Sequence, residues 1–244
     1  MGRVVLHVGT FKTGTSSIQA FLRDVAPTLL AQRGLRFPRG WLRLNNHLEL
    51  HLALMRLDRL STPRTRNDEW RDPIFRDELV HQVRADLDAH PDEVTILSGE
   101  DNGLLRYDDE LERLRELVGD DAEIVVYFRE PTAFLASLRD QLGKWGLPES
   151  DDPNDFTHCG PESWQVNRRA RVERWLAHFD EVTVFDYDEC VANDGSVIPS
   201  FARHLGIEPL PDVSGYWLNP RGQREQRVEG NRRTTGLPFG EGGP

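Results

Sequence analysis

The stretch Val4-Val5-Leu6-His7-Val8-Gly9-Thr10-Phe11-Lys12-Thr13-Gly14-Thr15-Ser16-Ser17-Ile18-Gln19 reads as a buried strand that runs into a glycine-bracketed loop and opens a helix. Gly9 and Gly14 tolerate positive φ angles and close backbone approach. Successive N–H groups, Thr10 and Phe11 among them, can therefore converge on one anion. The helix beginning near Thr15 adds its unpaired amides and the positive end of its dipole. Lys12 supplies a mobile charge, and Thr13, Thr15, Ser16 and Ser17 supply hydroxyl donors. Such a loop is expected to hold phosphate.

The loop is not an ATPase loop. Against the pattern G-x-x-x-x-G-K-[ST], Gly9 and Gly14 fit, but Thr15 stands where the lysine belongs. The lysine lies inside the loop, two residues before Gly14. A kinase or NTPase would need that lysine after Gly14 and an acidic ligand for magnesium.

The rest of the chain supplies strands of the same kind. Val4–Val8, Val94–Leu97, Ile124–Phe128 and Val182–Phe185 are short apolar runs, each followed by a loop and a helical pattern. That alternation is the mark of βαβ units and predicts an α/β fold: a three-layer, P-loop-type parallel sheet with helices on both faces and right-handed crossovers. Ligands then sit at the carboxyl ends of the strands. Residues 34–38 add a short edge strand. Helices are expected over about 15–30, with Ile18, Phe21, Leu22, Val25 and Leu29 as its apolar stripe, and over about 46–57, 73–89, 109–118, 132 onward, 164–179 and 198–205. In the helix over 164–179, Val172, Trp175 and Leu176 turn inward. Residues 61–73 and 148–163 lack periodicity and read as loops over the site, the former as a loop or lid. The domain spans 1–207, an irregular segment spans 208–244, and its end from Gly236 is expected to be disordered.

Composition narrows the class. The 244 residues are 38% hydrophobic and 29% charged, with a net charge of −11. An acidic chain opposes a nucleic-acid or anionic-membrane role, so an anionic ligand must be met by local arginine and lysine. No apolar run approaches a membrane span, and no signal segment precedes the first strand, so the expected location is cytoplasmic. Cys159 and Cys190 are expected to be ordinary thiols. His47 and His51 lie four apart, a spacing that can ligate a metal, but no third ligand or supporting carboxylate is evident and no metal is expected.

A second motif follows the strand at 124–128. Arg129 sits at the strand exit, with Pro131 two residues later and Ser137 eight later, on a helix oriented to return Ser137 towards the arginine. A guanidinium fork with five donors can bind phosphate in two places, and the serine adds a donor.

With both motifs in hand, the chain resembles the sulfotransferases that use 3′-phosphoadenosine 5′-phosphosulfate (PAPS). The likeness is to the bacterial group that begins H-x-G-x-x-K-T-G-T-[ST]-S-x-Q. His7, Gly9, Lys12, Thr13, Gly14, Thr15, Ser16, Ser17 and Gln19 all match. The resemblance implies that the first loop grips the 5′-phosphosulfate and that Arg129 and Ser137 hold the 3′-phosphate. It also implies that Glu100, in Ser98-Gly99-Glu100-Asp101, is the general base, with Asp101 beside it as the competing choice. Asn46 and His47 would face the acceptor. Tyr187 and Glu189 match a Tyr-Glu pair whose role is as readily structural as catalytic. The family run S-x-Y-x-Q-x-x-K is kept at Gln141 and Lys144, while Arg139 replaces the tyrosine. Asn219-Pro-Arg-Gly is a weakened version of a late Asn-x-Ser segment, near Arg221 and Arg224.

The expected activity is sulfuryl transfer from PAPS to a hydroxyl or amine, releasing adenosine 3′,5′-bisphosphate, with no metal. The acceptor is a small molecule or a glycan, in a pocket formed by loops 38–72 and 145–163. The rivals are an ATP-using kinase or NTPase, and a catalytically lapsed member that binds a nucleotide or a partner protein.

Overall fold

The computed structural model describes residues 2–42, 46–66 and 68–216. Five strands form one sheet: β1 (Val4–His7), β2 (Leu35–Arg36), β3 (Val94–Ser98), β4 (Glu123–Phe128) and β5 (Glu181–Asp186). All pairings are parallel, in the order β2-β3-β1-β4-β5. Three of the apolar runs of the sequence are its centre: β1, β3 and β4 are almost wholly buried because both faces of the sheet are covered.

The strand period of two assigns their side chains to two cores. Val4, Leu6, Ile124 and Val126 face one cluster; Val5, Ile96, Val125 and Tyr127 face the other. Helices α2 (Glu49–Leu54), α3 (Pro73–Asp88), α4 (Asp108–Val118), α5 (Pro131–Trp145) and α6 (Arg168–Leu176) cover the first face. Helices α1 (Thr15–Leu29), α7 (Tyr187–Asp194) and α8 (Ile198–His204) cover the second. The fold is thus the expected three-layer α/β arrangement. In the first helix Ile18, Phe21 and Leu22 are buried; the side chains of Val25 and Leu29 lie outside the described residues, as does everything from 217 on, including Arg221, Arg224 and the tail from Gly236.

Two expectations are corrected, for the helices over 46–57 and 164–179, and the loop between them gains an anchor. The helix over 46–57 shrinks to Glu49–Leu54, and the chain turns extended at Met55. The polar run 61–73 is an irregular loop with one 3₁₀ turn, Glu69–Arg71, anchored by its buried Arg64 and Trp70 while most of its other described residues are exposed. Arg64 is 1% exposed, and its guanidinium donates to the carbonyls of Leu52, Met55, Arg56 and Arg59 while lying 4.2 Å from the Trp70 ring. Two of these carbonyls, of Leu52 and Met55, are ones that the end of α2 leaves without helical partners. In α6, Leu176 is 52% exposed and Arg171 is buried in its place. Arg171 is held among Trp164, Trp175 and Phe128 and donates to the carbonyls of Gln165 and Gly103.

Candidate active site

Register places the site. His7 at the end of β1 pairs with Ser98 at the end of β3 and with Val125 in β4, so the segments after all three strands emerge together at one edge of the sheet. They are the loop 8–14, the short 3₁₀ turn Glu100–Leu104 and the exit to α5 at Arg129.

The loop is wound around positive φ angles at Gly9 (+85°), Lys12 (+63°) and Gly14 (+80°). At Gly14 a side chain is also excluded by space: a β-carbon would stand 2.7 Å from Val197, at the start of α8. The Thr13 hydroxyl donates to the Thr10 carbonyl at 2.6 Å and the Thr10 hydroxyl to the Tyr127 carbonyl at 3.2 Å, which fastens the loop to itself and to β4. The first turn of α1 is closed by bonds from the Ser17 and Ile18 amides to the Gly14 carbonyl. Amides at the start of such a helix are free to serve an anion. Thr15 Oγ1 is buried with no hydrogen-bond partner among the described residues, whereas Ser16 is exposed.

His7 and Gln19, at the two ends of the first motif, have a different task. His7 Nδ1 lies 2.9 Å from Ser98 Oγ, and Gln19 Nε2 donates to both Ser98 Oγ and the Ser98 carbonyl. Burial pushes the His7 pKa down to about 3, so the ring is neutral. These three side chains tie β1, β3 and α1 together immediately before Glu100.

Lys12 points from the loop to Gln141, donating to its Oε1 at 3.1 Å. Burial and the ammonium of Lys144 lower the Lys12 pKa, and the carboxylates of Glu100 and Asp140 oppose them. Two residues of the S-x-Y-x-Q-x-x-K run, Gln141 and Lys144, are thereby accounted for. Arg139, which replaces the tyrosine, turns away to Glu149 and the Cys159 carbonyl.

Glu100 begins its turn against the loop and borders the cavity. Burial, then the neighbouring Asp101 carboxylate, raise its pKa to about 8, with Lys12 working in the opposite direction. Glu100 keeps partial access to the cavity, so solvent there moderates the shift. A carboxyl near neutrality is suited to proton transfer.

On the far side of the loop, Arg129 Nη1 donates to Ser137 Oγ at 3.3 Å, which realises the eight-residue spacing through α5. Arg129 Nε is buried without a hydrogen-bond partner; its nearest carboxylate oxygen, on Asp188, is 3.9 Å away. Its guanidinium lies 5.2 Å from the ring of Tyr187, a residue that also approaches Gly14. A half-buried guanidinium with an unsatisfied N–H, beside the glycine-bracketed loop and the start of α1, is a fit for phosphate; the Thr10 amide, expected to join the anion site, is instead bonded to the Tyr127 carbonyl at 3.0 Å.

His47 is elsewhere. It is fully buried, accepts from the Ser98 N–H at Nδ1 (2.9 Å) and donates from Nε2 to the Pro38 carbonyl (3.1 Å), and burial lowers its pKa to about 4. Both ring nitrogens are occupied by backbone, so it has neither a proton nor a lone pair for an acceptor; it is a packing residue that pins residues 38 and 47 to β3. His51 is likewise buried, between the Leu48 carbonyl and Ser61 Oγ. Asn46, unlike His47, borders the cavity.

That cavity, about 460 Å³, opens beside Glu100 and Asp101. Its walls are Phe11 of the loop, Leu48 and Leu52 around α2, Trp70, Phe75 of α3 and Trp145 at the end of α5, with Leu42, Thr62, Pro63, Arg66 and Glu69 completing it. Residues 146–163 do not border it: Phe156 and Cys159 are buried in the core instead, and burial raises the Cys159 thiol pKa. Of the aromatic walls only Phe11 was expected at the site, and there as part of the anion loop; Trp70, Phe75 and Trp145 were not singled out from the sequence as site residues. The available signal was the presence of Trp70 inside a polar, aperiodic run.

No family model matches the chain, and no curated protein matches it. Solved structures do. A sulfotransferase from Alicyclobacillus acidocaldarius aligns with a TM-score of 0.52 at 19% identity, covering 86% of this chain and 84% of that one. The sulfotransferase domain of the curacin biosynthetic pathway (TM-score 0.49, 12% identity, 91% of this chain and 80% of that one) and that of the Synechococcus PCC 7002 olefin synthase (0.49, 15%, 90% and 78%) are more distant and carry no weight here. The chain therefore has a sulfotransferase fold.

Proposed function

We propose that the protein is a PAPS-dependent sulfotransferase. The observation that carries this reading is the convergence, at one sheet edge, of three groups: Lys12 in a glycine-bracketed loop, Arg129 hydrogen-bonded to Ser137, and Glu100 on the border of a cavity of about 460 Å³. The sulfotransferase fold supports it.

PAPS would supply an activated sulfuryl group whose leaving group is adenosine 3′,5′-bisphosphate. The amides and hydroxyls of residues 9–17 would hold the 5′-phosphate, as helix-start loops do. Arg129 and Ser137 would hold the 3′-phosphate through charge-assisted hydrogen bonds, each worth about 1.5–3 kcal/mol. Glu100 would take the proton from the acceptor hydroxyl as the acceptor O–S bond forms, an effect of about 10²–10⁴ in rate. Lys12 would meet the charge that grows on the phosphate oxygen as its bond to sulfur breaks. Lysine and amides here stand where an ATPase would use magnesium, so no metal enters the scheme. Positioning and charge do most of the work, as in phosphoryl transfer.

The test is release of adenosine 3′,5′-bisphosphate from PAPS in the presence of a mixed alcohol and saccharide pool. Release that depends on an acceptor and is lost in Lys12→Ala supports the reading. Turnover of ATP with magnesium in its place would refute it.

A further inference from the structure

Strand register brings a third side chain to Arg129. β4 and β5 pair to their ends, Phe128 opposite Asp186, so Glu130 and Asp188, two residues further on, come together where the strands stop. Asp188 Oδ2 accepts the Glu130 N–H at 2.7 Å, and Asp188 Oδ1 stands 3.9 Å from Arg129 Nε. Both sides of this contact are themselves anchored. The Asp186 side chain caps α7 by accepting the Asp188 and Glu189 amides, and it also accepts from Arg168 Nη1 at 3.0 Å. The Glu130 carboxylate caps α5 by accepting the Thr132 and Ala133 amides, and α5 carries Ser137, the partner of Arg129 Nη1.

We infer that Asp188 is a positioning residue for Arg129 and thereby sets the preference for a nucleotide that carries a 3′-phosphate. The inference rests on the sulfotransferase reading. At 3.9 Å the carboxylate is too far from Nε to be its hydrogen-bond partner, so that buried N–H is left for a ligand. Asp188 has two opposed effects on such a ligand. Its bond to the Glu130 amide fixes the backbone beside Arg129 and the start of α5 together, which aims the guanidinium and Ser137 at one point. Its charge repels the phosphate they would hold. The repulsion is the weaker effect, because the Asp188 side chain is 45% exposed and its field is screened by water and salt. The aim is decisive, since a guanidinium binds phosphate through directed bonds that fail when the fork is turned.

The experiment uses the full chain and two probes, adenosine 3′,5′-bisphosphate and adenosine 5′-monophosphate, which differ only in the 3′-phosphate. Calorimetry gives the dissociation constant of the first and ligand-observed NMR that of the second, for the parent, Asp188→Ala and Asp188→Asn; a thermal melt of each protein without nucleotide accompanies them. The parent is expected to prefer the bisphosphate. Asp188→Ala should weaken bisphosphate binding about tenfold or more, the loss of one charge-assisted bond, and monophosphate binding by less than about twofold. Asp188→Asn keeps an oxygen for the Glu130 amide and should restore the preference to within about threefold of the parent, a small factor because only the screened charge is removed. Equal weakening of both nucleotides in Asp188→Ala, with a lowered melting temperature, would mark Asp188 as structural and overturn the inference. Tighter bisphosphate binding in both variants would show that repulsion prevails and overturn it as well. A parent that binds the two nucleotides equally overturns the assignment of Arg129 to a 3′-phosphate, and with it the sulfotransferase reading.

Discussion

A β-carbon placed on Gly9 would stand 2.9 Å from Cβ and 3.0 Å from Cα of Glu100. The first glycine of the anion loop and the proposed base are therefore in backbone contact, and one cannot move without the other. Gly9 also sits at φ +85°, where an L side chain is strained.

Gly9→Ala is expected to lose on both counts. Backbone strain of this kind costs about 1–3 kcal/mol, and relief of the clash must displace the turn that carries Glu100. Thermal denaturation should show the loss, and turnover should fall by about 10²-fold, the usual effect of misplacing a reacting group by an ångström. Normal turnover in Gly9→Ala would mean that Glu100 is not held by the loop.

The raised pKa of Glu100, about 8, sets the pH dependence. A base must be deprotonated, so kcat/KM should rise as pH climbs through this region and level off above it. Glu100→Gln should remove the limb and lower turnover by about 10²–10⁴. Stability runs the other way. A carboxyl with a raised pKa in the fold stabilises the native state below its unfolded pKa, near 4.5, and that stability is lost as pH rises through about 8. Glu100→Gln should therefore melt higher than the parent at pH 9, with the difference narrowing towards pH 5.

Lys12 and Arg129 should separate kinetically. Loss of Arg129 removes bonds made equally in ground and transition states, so Arg129→Ala should weaken adenosine 3′,5′-bisphosphate binding about ten- to a hundred-fold. Lys12→Ala should reduce kcat much more than binding. Calorimetric titration alongside steady-state kinetics distinguishes them; the reverse pattern would exchange their roles.

Ser98 should prove a stability residue. Ser98→Ala strips the hydroxyl from the buried His7, whose Nδ1 is left unsatisfied at a cost of about 1–3 kcal/mol, while Gln19 loses one bond and keeps the one to the Ser98 carbonyl. At about 2–4 °C per kcal/mol, the melting temperature should fall by several degrees. An unchanged melting temperature would show that the three-way tie contributes nothing.

The sheet and the anion loop were legible for a physical reason. Parallel strands buried on both faces read as unbroken apolar runs such as Val4–Val8 and Ile124–Phe128, and the loop's glycines sit where positive φ angles are required. The pairing of Arg129 with Ser137 was legible because a helix fixes what lies eight residues on. His47 was not, since a histidine's sequence neighbours do not reveal that the Ser98 amide and the Pro38 carbonyl will fill its two nitrogens. The burial of Arg64 was not legible for a related reason: four backbone carbonyls, of Leu52, Met55, Arg56 and Arg59, surround its guanidinium, and no periodicity announces that. The cavity walls Trp70, Phe75 and Trp145 come from three segments and meet only in three dimensions.

The central claim is most directly tested by a thermal-shift titration with adenosine 3′,5′-bisphosphate, run beside ADP with magnesium. A ligand at a hundred times its dissociation constant stabilises a fold by about 2.7 kcal/mol. Stabilisation by the bisphosphate alone, lost in Arg129→Ala, is the expected result; stabilisation by ADP with magnesium, or by neither, would contradict the account.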